Sequence, residues 1–112
     1  MIQSQEGTII NIVSIAGKMG LPNSAVYSAS KFAVSGFAEA LLEEVREYNI
    51  RVSCIYPGRV HTELFGRKNS FSGKIENYIQ PNDIAEAALL CASGTQTAAF
   101  KEIVVRPRRP VR

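Results

Sequence analysis

The sequence predicts an α/β domain in which strands and helices alternate as β-α-β-α-β on a parallel sheet, and three observations carry that reading. Ile9-Ile10-Asn11-Ile12-Val13 and Arg51-Val52-Ser53-Cys54-Ile55-Tyr56 are short runs rich in β-branched residues and bounded by turn residues. Between them, residues 25–48 keep helical spacing through Phe37, Leu41, Val45 and Tyr48, with Gly36 as the one breaker. A second helix and a third apolar strand then follow in the same order. Parallel strands need helical crossovers, and such crossovers are right-handed.

Gly7-Thr8 leads into the first strand, and Gly17-Lys18-Met19-Gly20-Leu21-Pro22-Asn23 has the composition of a loop. Ser24 stands where an N-cap of the long helix is expected. Glu39, Glu43, Glu44, Arg46 and Glu47 give the second half a wet face, whereas Phe32, Val34, Phe37, Ala38, Ala40 and Leu41 make the middle apolar nearly all round. A stretch of that kind needs cover on more than one side. Asn49 ends the helix, and Pro57-Gly58 stops the second strand.

Residues 63–80 are polar and aperiodic, with Gly66 and Gly73, and are expected to form a mobile loop with one helical turn, suited to a flap over a pocket. Pro81 with Asn82-Asp83 opens a helix to Ser93, closed by Gly94, and Glu102 to Val105 form the third strand. No internal repeat interrupts this order.

A chain of 112 residues with 46% hydrophobic content has room for one core. The polar opening Met1-Ile2-Gln3-Ser4-Gln5-Glu6 lacks a signal-peptide layout, and no apolar run is long enough to span a bilayer, so a cytoplasmic protein without membrane contact is expected. Cys54 and Cys91 fall in apolar runs and read as buried thiols. With a single histidine, His61, neither a zinc site nor a Cys-His nucleophile has its parts, and no metal is expected. Arg106, Arg108, Arg109 and Arg112 crowd the last seven positions and could attract phosphates. Without aromatic interleaving they read as a solvated or subunit-contacting terminus, not as a nucleic-acid surface.

Ligands of parallel α/β sheets bind beyond the carboxyl ends of the strands, and Ser14 and Pro57-Gly58 both follow strands at that end. Tyr27 lies thirteen positions after Ser14 on the first turn of the long helix, and Lys31 is one turn further on the same face. An ammonium near a phenol favours the phenolate, which brings a tyrosine towards proton-transfer duty.

The ordered set Asn11-Ile12-Val13-Ser14-Ile15-Ala16-Gly17, Tyr27-Ser28-Ala29-Ser30-Lys31 and Pro57-Gly58-Arg59-Val60-His61-Thr62 resembles the classical short-chain dehydrogenase/reductase family, strongly over residues 7–62 and loosely over 81–106. The resemblance implies the C-terminal part of a Rossmann-like, doubly wound sheet and hydride transfer between a nicotinamide cofactor and a carbonyl or alcohol. It implies that Tyr27 exchanges a proton with the reacting oxygen and that Ser14 hydrogen-bonds that oxygen. Lys31 would tune Tyr27 and bond the nicotinamide ribose. Pro57, Gly58, Val60 and Thr62 would wrap the nicotinamide, Val60 through its main chain and Thr62 through its hydroxyl. Relatives pair through the helix matching residues 25–48, which implies a homo-oligomer.

Two elements of the family pattern do not occur in these 112 residues: the glycine-rich Thr-Gly-x-x-x-Gly-x-Gly turn and the Asn-Asn-Ala-Gly stretch. Gly17-Lys18-Met19-Gly20 lacks dinucleotide spacing. The chain is therefore expected to be the catalysis-bearing half of a longer domain, inactive by itself. A non-catalytic dimerisation module that keeps the fold is the alternative. The run Ile103-Val104-Val105-Arg106-Pro107-Arg108-Arg109-Pro110 is similar to a branch of NADP-preferring reductases and hydroxy-acid dehydrogenases, so NADP is favoured over NAD.

Overall fold

The computed structural model describes residues 1–63 and 75–111. Its elements follow the expected order: strand β1 (Gly7–Ile12), helix α1 (Ala25–Val45), strand β2 (Ile50–Pro57), helix α2 (Pro81–Ala92) and strand β3 (Glu102–Val105). The three strands form one parallel sheet in the order β1-β2-β3. Gly7 pairs with Ile50 and Ile12 with Ile55 on one side, and Cys54 with Glu102 on the other.

Strand β2 is central, so both of its faces are covered, and the period of two sends alternate residues to opposite layers. Val52, Cys54 and Tyr56 are buried with Ala38 of α1, and Ile9, Val34, Leu41, Leu42 and Val45 pack around them. Ser53 and Ile55 face the other way, towards the α2 layer, where Cys91 is buried. Arg51, on that same side, donates to the carbonyls of Ala92 at 3.2 Å and Gly94 at 2.9 Å and to Thr8 Oγ1 at 3.1 Å. A guanidinium thus satisfies carbonyls at and just past the end of α2, where the helix dipole favours positive charge.

Four local expectations need correction. The long helix is α-helical only to Val45, and residues 46–48 tighten into a 3-10 turn before Asn49 adopts φ 57°, a left-handed exit that asparagine tolerates. Ser24 holds the N-cap position of α1, yet its side chain makes no capping bond. Instead Ser28 Oγ accepts from the Leu21 N–H at 3.1 Å and ties the preceding loop to the helix.

The expected loop over 63–80 has a structured end at residues 75–80. Among its described residues a 3-10 turn lies at Ile75–Asn77, and Tyr78 and Ile79 are buried. Residues 64–74, which include most of the expected flap, lie outside the described residues. Finally, the sheet covers only one side of the apolar middle of α1. Phe37 is 61% and Val26 86% exposed.

Both cysteines are buried free thiols. Among the described residues no helix is long and apolar enough to cross a membrane, and no group of His, Cys, Asp and Glu is placed to hold a metal ion.

Candidate active site

Ser14 follows β1 in extended backbone and begins the 3-10 turn Ile15–Gly17. Its Oγ accepts from the Ala16 N–H at 3.1 Å, so the serine does cap a turn. Accepting that bond leaves the hydroxyl proton free to be donated elsewhere.

Tyr27 and Lys31 share one face of α1, with the Lys31 ammonium 5.6 Å from the centre of the Tyr27 ring. Tyr27 is 48% exposed, so its ring is open to a ligand. The Lys31 ammonium has no carboxylate partner among the described residues.

What joins Ser14 to this face is a residue the sequence analysis did not single out. The Ser35 hydroxyl, one turn beyond Lys31, reaches the Gly17 carbonyl at 3.1 Å and the Lys31 carbonyl at 3.2 Å. It fastens the turn that Ser14 begins to the helical turn carrying Lys31. Gly17 is buried at this contact, where an added Cβ would stand 2.8 Å from Ser35 Oγ, 2.9 Å from Val13 Cγ1 and 3.0 Å from the Lys31 carbonyl. Only glycine lets the loop seat so closely without a shift. A serine one helical turn after Lys31, facing a glycine three residues after Ser14, was the available signal.

The turn after β2 is fixed from two sides. The Gly58 N–H donates to the Val105 carbonyl at 2.8 Å, and a Cβ at Gly58 would stand 3.0 Å from Pro107 Cδ. Its backbone therefore approaches the C-terminal segment of this chain closely. Val60 forms an isolated parallel bridge with Ile79, made by the Ile79 N–H to Arg59 and the His61 N–H to Ile79. In a parallel bridge those flanking groups do the bonding, so the amide and carbonyl of Val60 itself point the other way. Thr62 Oγ1 is buried without a hydrogen-bond partner among the described residues. An orphaned hydroxyl costs about 1–3 kcal/mol if left unsatisfied, and such groups call for a partner.

Behind the site, on the α1 side of the sheet, Lys18 bonds Glu102 at 2.6 Å and lies 4.6 Å from the centre of the Tyr56 ring. Burial pushes the Tyr56 phenol up to about 12, against some relief from a hydrogen bond with Ser35. Burial also raises the Cys54 thiol. These groups are kept neutral, so they read as interior support for the site.

Known proteins resemble this chain throughout. A family model described as short chain dehydrogenase matches residues 1–73. A 3-ketodihydrosphingosine reductase of Bacteroides thetaiotaomicron is 44% identical over 80 residues, covering 70% of this chain and 30% of that protein. A 3-oxoacyl-(acyl-carrier-protein) reductase of Chlamydia trachomatis is 39% identical over 103 residues, covering 83% and 40%. Among solved structures, a metagenomic short-chain oxidoreductase in complex with NADP superposes with a TM-score of 0.73 at 34% identity, over 97% of this chain and 43% of the other. A 4-hydroxyisoleucine dehydrogenase complexed with NADH gives 0.74 at 29% identity, over 94% and 47%. The chain spans less than half the length of each of these proteins.

Proposed function

Since the chain belongs to the short-chain dehydrogenase family of oxidoreductases, we propose that it carries the acid/base half of a nicotinamide-dependent hydride transfer between a carbonyl and an alcohol. The observation that carries this reading is the fastening of the Ser14 turn to the Lys31 turn of α1, with Tyr27 on the same helical face.

A bound nicotinamide would supply or accept the hydride. Tyr27 Oη gives a proton to the carbonyl oxygen in reduction and takes one from the hydroxyl in oxidation. Ser14 Oγ donates a hydrogen bond to that oxygen and stabilises the charge developing on it, a contribution of about 3 kcal/mol for a well-placed donor. Lys31, with no carboxylate partner among the described residues, supports negative charge on the Tyr27 oxygen and can bond ribose hydroxyls.

The residues after β2 fit a nicotinamide. Val60 turns its own amide and carbonyl away from the Ile79 bridge, and Thr62 holds an unsatisfied hydroxyl. Both suit a carboxamide, which donates and accepts. Relatives solved with NADH and with NADP leave either dinucleotide open, and NADP is the first choice for assay.

The Rossmann-type pyrophosphate turn is not among these 112 residues, and the proposed activity is that of a chain joined to one. Exposed Phe37 and Val26 on α1 favour pairing of two copies through residues 25–48, in a cytoplasmic homo-oligomer acting on small molecules. Sedimentation of Phe37→Glu as a monomer beside a dimeric parent would support this pairing.

The test of function follows nicotinamide absorbance with simple aldehydes and ketones, using the 112-residue chain alone and the chain fused behind the glycine-rich half of the chlamydial relative. Turnover in the fusion, lost on Tyr27→Phe, is expected. Turnover indifferent to Tyr27 would refute the assignment.

A further inference from the structure

A cleft of about 840 Å³ opens between the segment leading into α2 and the segment leaving β3. Arg106, Arg108 and Arg109 line one wall, and Tyr78 and Ile79 are part of the other. Two carboxylates also border it, Glu76 and Asp83. Asp83 is committed elsewhere, since its Oδ2 accepts from the Gln80 N–H at 2.8 Å at the start of α2. The three arginines form no ion pair with any described residue. Three unpaired guanidinium groups around one concavity favour an anion, and a guanidinium presents two parallel N–H donors that match phosphate and carboxylate.

We infer that this cleft is an oxyanion-binding site in which Arg106, Arg108 and Arg109 hold a phosphate or carboxylate group. Its walls belong to the same end of the sheet as the candidate active site. The Val105 carbonyl on one wall accepts from Gly58, and Ile79 on the other bridges Val60. An acid group held here thus lies beside the turn proposed to hold the nicotinamide. That the acid belongs to the carbonyl or alcohol substrate rests on the hydride-transfer reading; that the cleft binds oxyanions does not.

Amide chemical shifts of the 112-residue chain, titrated at constant ionic strength, test the site with two probes: inorganic phosphate and 3-hydroxybutyrate, the latter compared with its methyl ester. Saturable shifts at residues 78–80 and at Val105, Arg106, Arg108 and Arg109 are expected with one or both anions and not with the ester. Phosphate alone would identify a phosphate group as the ligand, and the hydroxy acid alone a substrate carboxylate. Arg106→Gln with Arg109→Gln should weaken binding by about tenfold or more, the worth of a charged hydrogen bond. Arg46→Gln, which removes a distant surface charge, should leave it unchanged. Shifts reproduced by sodium chloride, equal loss in Arg46→Gln, or saturable binding by neither anion would overturn the inference. None of these outcomes depends on turnover.

Discussion

Ser35 and Gly17 meet at 3.1 Å, hydroxyl to carbonyl, eighteen positions apart in sequence. The bond sets the register between the loop that Ser14 begins and the helix that carries Tyr27 and Lys31. Ser35→Ala should cost about 1 kcal/mol, the net worth of one hydrogen bond. Gly17→Ala should cost about 1–3 kcal/mol, because its methyl would meet Ser35, Val13 and the Lys31 carbonyl together. Urea midpoints measure both, and the double variant should lose less than the sum, since removing the Ser35 oxygen opens space for the methyl.

Thr62 offers a separation of binding from folding. Thr62→Val removes a buried hydroxyl that has no partner among the described residues, so stability should hold or rise by about 1 kcal/mol. If Thr62 holds the nicotinamide, dinucleotide affinity of the fused protein should fall by about tenfold, the worth of one good hydrogen bond. Thermal denaturation and nucleotide fluorescence read the two effects separately, and a large loss of stability would contradict the first.

Tyr56 predicts an alkaline weakness. Burial raises its phenol from 10 to about 12. The folded state therefore holds the proton more tightly than the unfolded state. That contribution is fully present below pH 10 and disappears as pH rises through about 12. Its size is about 2–3 kcal/mol at one pKa unit per 1.4 kcal/mol. Tyr56→Phe should flatten the fall in stability over that window and remove a phenolate that appears near pH 12 in an absorbance titration.

Cys54 should be inert. Burial raises its thiol, and both it and Cys91 are covered. A disulfide reagent should find no thiol in the native chain and two in guanidinium chloride. Rapid labelling of Cys54 without denaturant would show that the α1 face of the sheet opens.

Much of this was legible in the sequence because it followed from periodicity and turn chemistry. Glu102 to Val105 is β3 as expected, and β2 extends the expected run by one residue at each end. The Tyr27–Lys31 pairing follows from helical geometry alone. The site's assembly was harder to read. Ser35 acts through a backbone carbonyl eighteen residues away, so its signal is split between a glycine in one element and a serine in the next. Gly58 lies against Pro107, brought alongside by β3 pairing, a contact that no local pattern around Gly58 marks. The polar composition of residues 63–80 hid two buried residues just before α2, Tyr78 and Ile79, of which Ile79 bridges Val60.

Comparing Tyr27→Phe with the parent in the fused protein tests the proposed chemistry most directly, with dinucleotide affinity measured alongside kcat. Proton transfer through Tyr27 predicts a kcat lower by about 10²–10⁴-fold, the usual worth of a general acid, with affinity unchanged. A parental kcat in that variant would contradict it.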